Sequence, residues 1–176
     1  MELNLTILKL FFEEPNRKRS IREISRVLKI NHTTVRQHLN QLAEEEFLSS
    51  KREGVYLFYL LVLSKKTLNL KLYYNLEKMR RSGLVQDLEK LFDFPVIVIF
   101  GSYASATDDE TSDIDMCVIS NVEKEVSTGK HEKILKRKVS IHKFNKNAWT
   151  KAKESNPHLI NSICNGLVLS GELEVV

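Results

Sequence analysis

A glycine, a serine and two aspartates form the strongest chemical pattern in this chain. Gly101-Ser102 follows an apolar run, and Asp113-Ile114-Asp115 begins another after ten intervening residues. A Gly-Ser turn after a strand lets backbone N–H groups and a hydroxyl approach a phosphate closely. Two aspartates one residue apart on a strand point to the same face, where their carboxylates can hold Mg²⁺. The candidate ligands are Gly101, Ser102 and Ser112 for a phosphate group, and Asp113 and Asp115 for Mg²⁺ or Mn²⁺.

Strands and helices must place these groups together. Pro95 precedes the continuous apolar run 96–100, which suits a fully buried strand. Branched and aromatic residues predict two more strands, one starting at the aspartates. The predicted elements are strands at 96–100, 114–119 and 139–144, a helix over 122–135, two short helices split at Asn156-Pro157, and a final apolar stretch at 167–169.

The segment GSYASATDDETSDIDM, residues 101–116, resembles the motif of minimal nucleotidyltransferases, a branch of the superfamily that includes DNA polymerase beta. The resemblance implies a small mixed sheet with flanking helices, and therefore an α+β fold. It also implies transfer of a nucleotidyl group from an NTP to a hydroxyl, with release of pyrophosphate. The acceptors it suggests are a protein hydroxyl, as in antitoxins that modify HEPN-type toxins, a nucleic-acid end, or a small molecule.

The chain departs from that family in two places. Ser105-Ala106 stands where the family often has Arg-Gly, which removes a cation that could meet phosphate. Ser140 stands where the family usually supplies a third carboxylate, and no Asp or Glu occurs from Lys133 to Lys153. General-base assistance is typically worth about 10²–10⁴-fold, so this loss predicts a slow enzyme or a nucleotide binder. His142 shares the predicted face of Ser140, and we hypothesise that it acts as a neutral base or metal ligand; the alternative is a half-exposed strand histidine.

The first third of the chain has the order helix, helix, short turn, helix, hairpin. Ser20 with Glu23 forms a capping box for the second helix, and Asn31 is a natural N-cap for the third. We expect Phe47-Leu48 to end the third helix, and a Glu53-Gly54 turn to divide a polar segment from the apolar run 55–62 in a hairpin. The predicted apolar stripes are Leu3, Ile7, Leu8 and Phe11; Ile21, Ile24, Val27 and Leu28; and Val35, Leu39 and Leu42.

The stretch Ser20 to Leu48 resembles the winged helix-turn-helix domains of bacterial and archaeal regulators of the ArsR type. The resemblance implies that the third helix enters the major groove of double-stranded DNA, where Arg contacts guanine and Gln or Asn contacts adenine. The alternative is a domain for protein contact or dimerisation only. The candidate DNA-binding residues are His32, Thr33, Thr34, Arg36, Gln37 and Asn40 on the helix and Lys51 and Arg52 on the wing, with Arg17 to Arg19 as further phosphate contacts.

These patterns predict three segments: a winged helix-turn-helix domain at 1–63, a helical linker at 64–94 and a nucleotidyltransferase-fold domain at 95–176. We expect the linker to break near Asn75 and at Ser82-Gly83. Its predicted apolar stripes are Leu68, Leu72, Leu76 and Met79, and Leu84, Leu88 and Leu91.

Composition excludes several classes of protein. No apolar run is long enough to span a membrane, and no signal peptide is recognisable, so a cytoplasmic protein is expected. Cys117 and Cys164 lack CxxC spacing and are expected to be buried, reduced thiols. The formal charge of +4 has its basic excess in the first half, which permits a polyanionic partner.

Two functions follow from these expectations. The first is a DNA-binding, Mg²⁺-dependent nucleotidyltransferase. The alternative is a transcriptional regulator whose nucleotidyltransferase fold is degenerate and serves as a nucleotide sensor, a dimerisation unit or an antitoxin-like partner of a toxin. A homodimer is a further candidate assembly, because palindromic DNA sites require one.

Overall fold

The computed structural model describes residues 2–174. The chain divides into two compact units, one ending at Lys71 and the other beginning at Leu72. Helices and small sheets make both units, so the predicted α+β class is confirmed.

The first unit contains three helices and a three-stranded antiparallel sheet. Its elements are α1 (Glu2–Glu13), β1 (Arg19–Ser20), α2 (Ile21–Leu28), α3 (His32–Glu44), β2 (Leu48–Glu53) and β3 (Tyr56–Leu61), and its sheet order is β1-β3-β2. The Ser20 side chain accepts a hydrogen bond from the Glu23 amide, and the Asn31 side chain accepts one from the Thr34 amide. Both predicted N-caps are therefore confirmed, and they fix where α2 and α3 begin.

Three predictions for this unit were wrong in detail. Leu48 opens β2 instead of ending α3, because Glu46 adopts a left-handed φ of 59° and the Phe47 amide donates back to the Leu42 carbonyl. The hairpin turn lies at Gly54-Val55, since Glu53 pairs with Tyr56. Val27 is 52% exposed and does not belong to the core.

Two helices follow the wing: α4 (Lys65–Ser82), which contains the division between the units, and α5 (Leu84–Phe92). The break at Ser82-Gly83 is confirmed, with Gly83 at a left-handed φ of 74°. The break near Asn75 was wrong, because that side chain is buried and hydrogen-bonded inside a continuous helix. The apolar stripe was misplaced except at Met79: Leu68, Leu72 and Leu76 are half-buried. The buried positions of α4 are Thr67, Lys71, Asn75, Met79 and Ser82.

The second unit is built on a four-stranded mixed sheet of order β6-β5-β4-β7. Its remaining elements are β4 (Val96–Phe100), α6 (Gly101–Ala104), β5 (Ile114–Ile119), α7 (Gly129–Leu135), β6 (Val139–Phe144), α8 (Lys146–Ser155), α9 (Pro157–Cys164) and β7 (Leu167–Ser170). Strand β4 is antiparallel to both neighbours, whereas β5 and β6 are parallel. The predicted strands and the two C-terminal helices are confirmed.

Side chains alternate across this sheet and fill a separate core on each face. On one face Ile97, Ile99, Ile114 and Met116 pack with buried residues of α5 and with Leu135 of α7. On the other face Val98, Phe100 and Cys117 pack with Trp149 of α8 and Ile163 of α9. Asp115 precedes Cys117 by two residues, so it belongs to this second face.

The helix predicted over 122–135 is much shorter, because α7 begins only at Gly129. Val122 and Val126 have helical spacing, but they pack against the core from a segment without regular structure. His131 anchors α7 instead: its Nδ1 lies 2.8 Å from the Ser82 carbonyl oxygen. The apolar spacing therefore predicted correctly that these two valines pack against the core, but it predicted wrongly that their segment is helical.

The cysteines and the helix lengths agree with the composition. Both cysteines are free; Cys117 is buried, and burial raises the pKa of its thiol to about 12, while Cys164 is half-buried. From residue 2 to residue 174, no helix has the length and apolar character needed to cross a membrane.

Candidate functional site

The turn from β4 into α6 brings Gly101 against Asp115. Gly101 has a left-handed φ of 71°, and a Cβ at this position would lie 2.7 Å from Asp115 Oδ2. Phe100, the last residue of β4, pairs directly with Asp115 on β5. A side chain at this position would be strained by the backbone and would displace the carboxylate, so glycine is favoured here. The structure thus brings together the two halves of the predicted signature.

The two aspartates differ in environment. Asp113 is exposed just before β5, whereas Asp115 is half-buried within the strand. Burial raises the pKa of Asp115; His142 acts in the opposite direction, and the negative charge of Asp113 raises the pKa further. A cation placed between the two carboxylates would stabilise the ionised form of Asp115, which burial and the neighbouring Asp113 disfavour.

Strand β6 places Ser140 directly beside the aspartates. Ser140 pairs with Asp115 in the parallel register, and His142 pairs with Cys117. The centroids of the His142 and Phe100 rings lie 5.5 Å apart. Ser140 therefore occupies the position from which a third acid would reach the site, and His142 lies two residue pairs further along β6, on the same face. No group of three or more His, Cys, Asp or Glu side chains within residues 2–174 could hold a metal ion.

Ser112 is engaged in the turn before β5. Its hydroxyl lies 3.0 Å from Asp109 Oδ1 and accepts a 3.0 Å hydrogen bond from the Asp109 amide. The Thr111 hydroxyl and amide, with Ser112, lower the pKa of Asp109 and keep it ionised. Ser112 thus shapes the loop that leads to Asp113.

Ala106 explains why the related motif often has glycine at this position. It is fully buried and adopts a left-handed φ of 58°, a conformation that favours glycine. Its neighbour Ser105 is exposed and hydrogen-bonds to the Gly101 carbonyl at 3.2 Å. The Ser-Ala pair preserves the turn but places no cation there.

Sequence reasoning missed the supporting roles of Asn75 and Asp108, two buried residues that hold the site loop in place. The buried Asn75 amide donates to the Tyr103 carbonyl at 3.1 Å and to Asp108 Oδ1 at 2.9 Å. These bonds hold α6 and the following loop against α4. The available signal was a polar residue within the leucine-rich stripe, which suggested a helix break.

The donor set at this site fits Mg²⁺. Mg²⁺ is usually bound through one or two carboxylates together with substrate phosphates, and Asp113 and Asp115 supply two carboxylates at the start of one strand. The Asp115 carboxylate can lie against the turn because residue 101 has no side chain. Two carboxylates and a glycine turn can therefore serve a metal that arrives with a polyphosphate.

The first unit has a groove between α3 and the wing, which we call the wing groove. It has a volume of about 900 Å³. Four predicted DNA-binding residues, His32, Arg36, Asn40 and Arg52, line it, and Arg22 and Tyr56 also line it but were not predicted. Asn40 accepts a 2.8 Å hydrogen bond from the Tyr59 hydroxyl, which fixes its side-chain oxygen.

The other predicted DNA contacts lie outside the walls of this groove. Thr33, Gln37 and Lys51 are exposed, and Thr34 is half-buried with its amide bonded to Asn31. The expectation for the 17–19 loop was wrong for Arg19, which is buried and paired with Glu14 and Glu23. Arg17 and Lys18 also form ion pairs with glutamates.

Comparisons with known proteins agree with this architecture. Residues 81–170 match the nucleotidyltransferase domain family, and residues 3–50 match the bacterial regulatory proteins of the ArsR family. No curated protein matches the chain.

Solved structures give weaker similarity. A mutant of ZitR from Lactococcus lactis is 19% identical with a TM-score of 0.40; the match covers 51% of this chain and 60% of ZitR. Reduced HlyU from Vibrio cholerae is 20% identical with a TM-score of 0.32; the match covers 43% of this chain and 90% of HlyU. The family matches are what place the protein: the chain belongs to the nucleotidyltransferase domain family and carries an ArsR-family helix-turn-helix domain at its N-terminal end.

Proposed function

We propose that the second unit binds an NTP with Mg²⁺ or Mn²⁺ and transfers its nucleotidyl group to a hydroxyl, while the first unit binds double-stranded DNA. The close approach of Gly101 to Asp115 Oδ2 carries the first part of the proposal. This contact joins a turn that is suited to binding phosphate to a carboxylate that is suited to binding a metal. A turn or an Asp-x-Asp pair with a purely structural role would not need to make this contact.

The residues of the site have separate roles. Gly101 and Ser102 offer backbone N–H groups and a hydroxyl to the phosphates, and Asp113 and Asp115 would hold the metal. When bound, Mg²⁺ would neutralise the phosphates and align the attacking hydroxyl. Ser140 cannot accept the acceptor's proton as a carboxylate would, so that proton must leave to water or another base. Transfer is therefore slow.

A second candidate function is favoured by Ser140 itself. Since it pairs directly with Asp115, no acid on β6 occupies that position. A regulator that senses nucleotide without transferring it would retain Gly101, Asp113 and Asp115 and lose the third acid. Dimerisation, or antitoxin-like binding of a HEPN-type toxin, would also be compatible with that loss.

A transfer assay separates these functions. Purified protein is incubated with Mg²⁺ or Mn²⁺, each α-labelled NTP and cell extract, beside an Asp113→Asn/Asp115→Asn variant. Transfer predicts label on a macromolecule or small molecule with the parent protein only. Label that persists with the variant would contradict the catalytic assignment, and NTP binding without transfer would favour the sensor.

The DNA-binding proposal predicts that Arg36→Gln weakens binding to a specific site. Arg36 is exposed on α3 and lines the wing groove, and a bidentate arginine–guanine contact contributes about 1–3 kcal/mol. A target is first selected from a random duplex pool with the parent protein. We then expect an affinity loss of about 10–100-fold in a gel-shift titration.

Arg26→Gln is the matched control, because Arg26 is exposed on α2 but does not line the wing groove. We expect it to bind the selected duplex like the parent. Equal losses in both variants would show that only overall charge matters, and no loss for Arg36→Gln would remove α3 from the interface. A palindromic selected site would support a homodimer.

A further inference from the structure

One hydrogen bond joins the wing strand β3 to the exposed side of α3. The Tyr59 hydroxyl donates to Asn40 Oδ1 at 2.8 Å. Tyr59 is buried, with 1% of its surface exposed, whereas Asn40 is exposed and lines the wing groove. The oxygen of the Asn40 amide is therefore held by a residue of the core, although Asn40 itself lies on the surface that we propose for DNA.

The buried hydroxyl sets the direction of this hydrogen bond. Burial raises the pKa of Tyr59, and the charge of Arg36 acts in the opposite direction; the hydroxyl keeps its proton at neutral pH. A buried O–H without an acceptor costs free energy, and Asn40 Oδ1 is its acceptor here. If the amide were reversed, its nitrogen would face the hydroxyl, and the phenolic proton would lose this acceptor.

An amide held in this way presents its nitrogen to the groove. The oxygen and the nitrogen of asparagine diverge from Cγ, so an oxygen directed at a buried hydroxyl leaves the Nδ2 hydrogens on the exposed side. An asparagine that reads adenine uses both ends of its amide, because adenine presents the N7 acceptor beside the N6 donor. Guanine presents two acceptors, N7 and O6, in the major groove. The nitrogen alone therefore suits guanine better than adenine.

We infer that Tyr59 is a positioning residue that makes Asn40 read guanine, and not the adenine expected from its residue type. The inference rests on the proposed DNA binding of the first unit and deepens it by assigning a base to one side chain. Local sequence gives no sign of this constraint, because Tyr59 follows Asn40 by 19 residues and lies on another element.

The base pair that Asn40 reads is located first. A duplex site is selected from a random pool with the full-length parent protein, and all four base pairs are then tested at each position by competition titration. The position whose preference disappears in Asn40→Ala is the one that Asn40 contacts. We expect the parent to favour guanine over adenine there by about 3–10-fold, which is the net effect of one hydrogen bond.

Tyr59→Phe tests the positioning role, because it removes only the hydroxyl that holds the amide. The freed amide can offer its oxygen to adenine N6, so the ratio of guanine to adenine affinity should fall about 3–10-fold. Tyr56→Phe is the matched control: Tyr56 lies on the same strand and lines the same groove, but the donor to Asn40 is Tyr59. We expect the control to keep the parent's ratio.

Asn40→Asp gives a second test in which Tyr59 is intact. Aspartate can still accept the Tyr59 hydrogen bond, but it has no N–H group to offer to a base. The preference for guanine should therefore disappear at this position. Loss of that preference, together with the fall in ratio for Tyr59→Phe, supports the inference.

Several results would overturn the inference while leaving DNA binding intact. They are an adenine preference in the parent, an unchanged ratio in Tyr59→Phe, an equal change in Tyr56→Phe, a guanine preference that persists in Asn40→Asp, or no position that depends on Asn40. A parent protein that selects no sequence at all would instead contradict the proposed DNA binding, and the inference with it.

Discussion

Gly101→Ala is expected to lower Mg²⁺-dependent NTP affinity and nucleotidyl transfer by about 100-fold, because the new methyl group would displace the Asp115 carboxylate. A Cβ at residue 101 would lie 2.7 Å from Asp115 Oδ2, closer than such atoms approach in folded proteins. The left-handed φ of 71° adds about 1–2 kcal/mol of backbone strain. Isothermal titration calorimetry with each NTP measures the loss of affinity.

Gly83→Ala separates the clash from the strain. Gly83 also has a left-handed φ, 74°, but a Cβ there would meet nothing within 4 Å. We expect both variants to lose about 1–2 kcal/mol of unfolding free energy, and only Gly101→Ala to lose nucleotide affinity. Normal nucleotide binding by Gly101→Ala would show that the turn and Asp115 do not act together.

Ser140→Asp is expected to raise nucleotidyl transfer by about 10²–10⁴-fold, since it restores a carboxylate that can take the acceptor's proton. The parallel register sets residue 140 directly beside Asp115, so no rearrangement of β6 is required. Initial rates of label transfer, measured at saturating Mg²⁺ and NTP, test the change. A gain would show that the rest of the catalytic site is intact.

Ser140→Asn is the control, because asparagine has nearly the same shape as aspartate and cannot act as a carboxylate. We expect no gain from it.

Ser140→Asp is also expected to lower the melting temperature when the metal is absent and the pH is above the ordinary carboxyl range. Burial already raises the pKa of Asp115, and the new negative charge repels its ionised form. Mg²⁺ is expected to return the melting temperature of the variant to that of the parent. An Asp variant that binds NTP and Mg²⁺ but transfers nothing would favour the sensor.

Local signals in the sequence predicted the elements that carry the site. The apolar run 96–100, the Asp-x-Asp start of β5 and the N-caps Ser20 and Asn31 each depend on neighbouring residues, and each was found where predicted. The contact between Gly101 and Asp115 follows from the antiparallel pairing of β4 with β5, which local patterns did not predict.

Features set by distant packing were not predictable. The buried Asn75 interrupts an apolar stripe and suggested a break, but hydrogen bonds to Tyr103 and Asp108 keep it within a continuous helix. Val122 and Val126 had helical spacing in a segment that is not helical. Arg19 belonged to a basic loop, and its burial depends on ion pairs with Glu14, just after α1, and with Glu23 of α2. The partners of Asn75, Val122 and Val126 lie elsewhere in the chain, and the ion pairs of Arg19, although local, leave no trace in apolar periodicity.

The most direct test of the central claim is Mg²⁺-dependent NTP binding at Asp113 and Asp115. Calorimetry compares the parent with Asp113→Asn/Asp115→Asn and with the charge-matched control Glu123→Gln/Glu125→Gln, whose residues are exposed and outside the 101–116 segment. We predict that the parent and the control bind NTP with Mg²⁺ and lose that binding with EDTA. The NTP affinity of the double Asn variant should be the same with and without Mg²⁺. Equal Mg²⁺-dependent affinity in all three proteins would contradict the account.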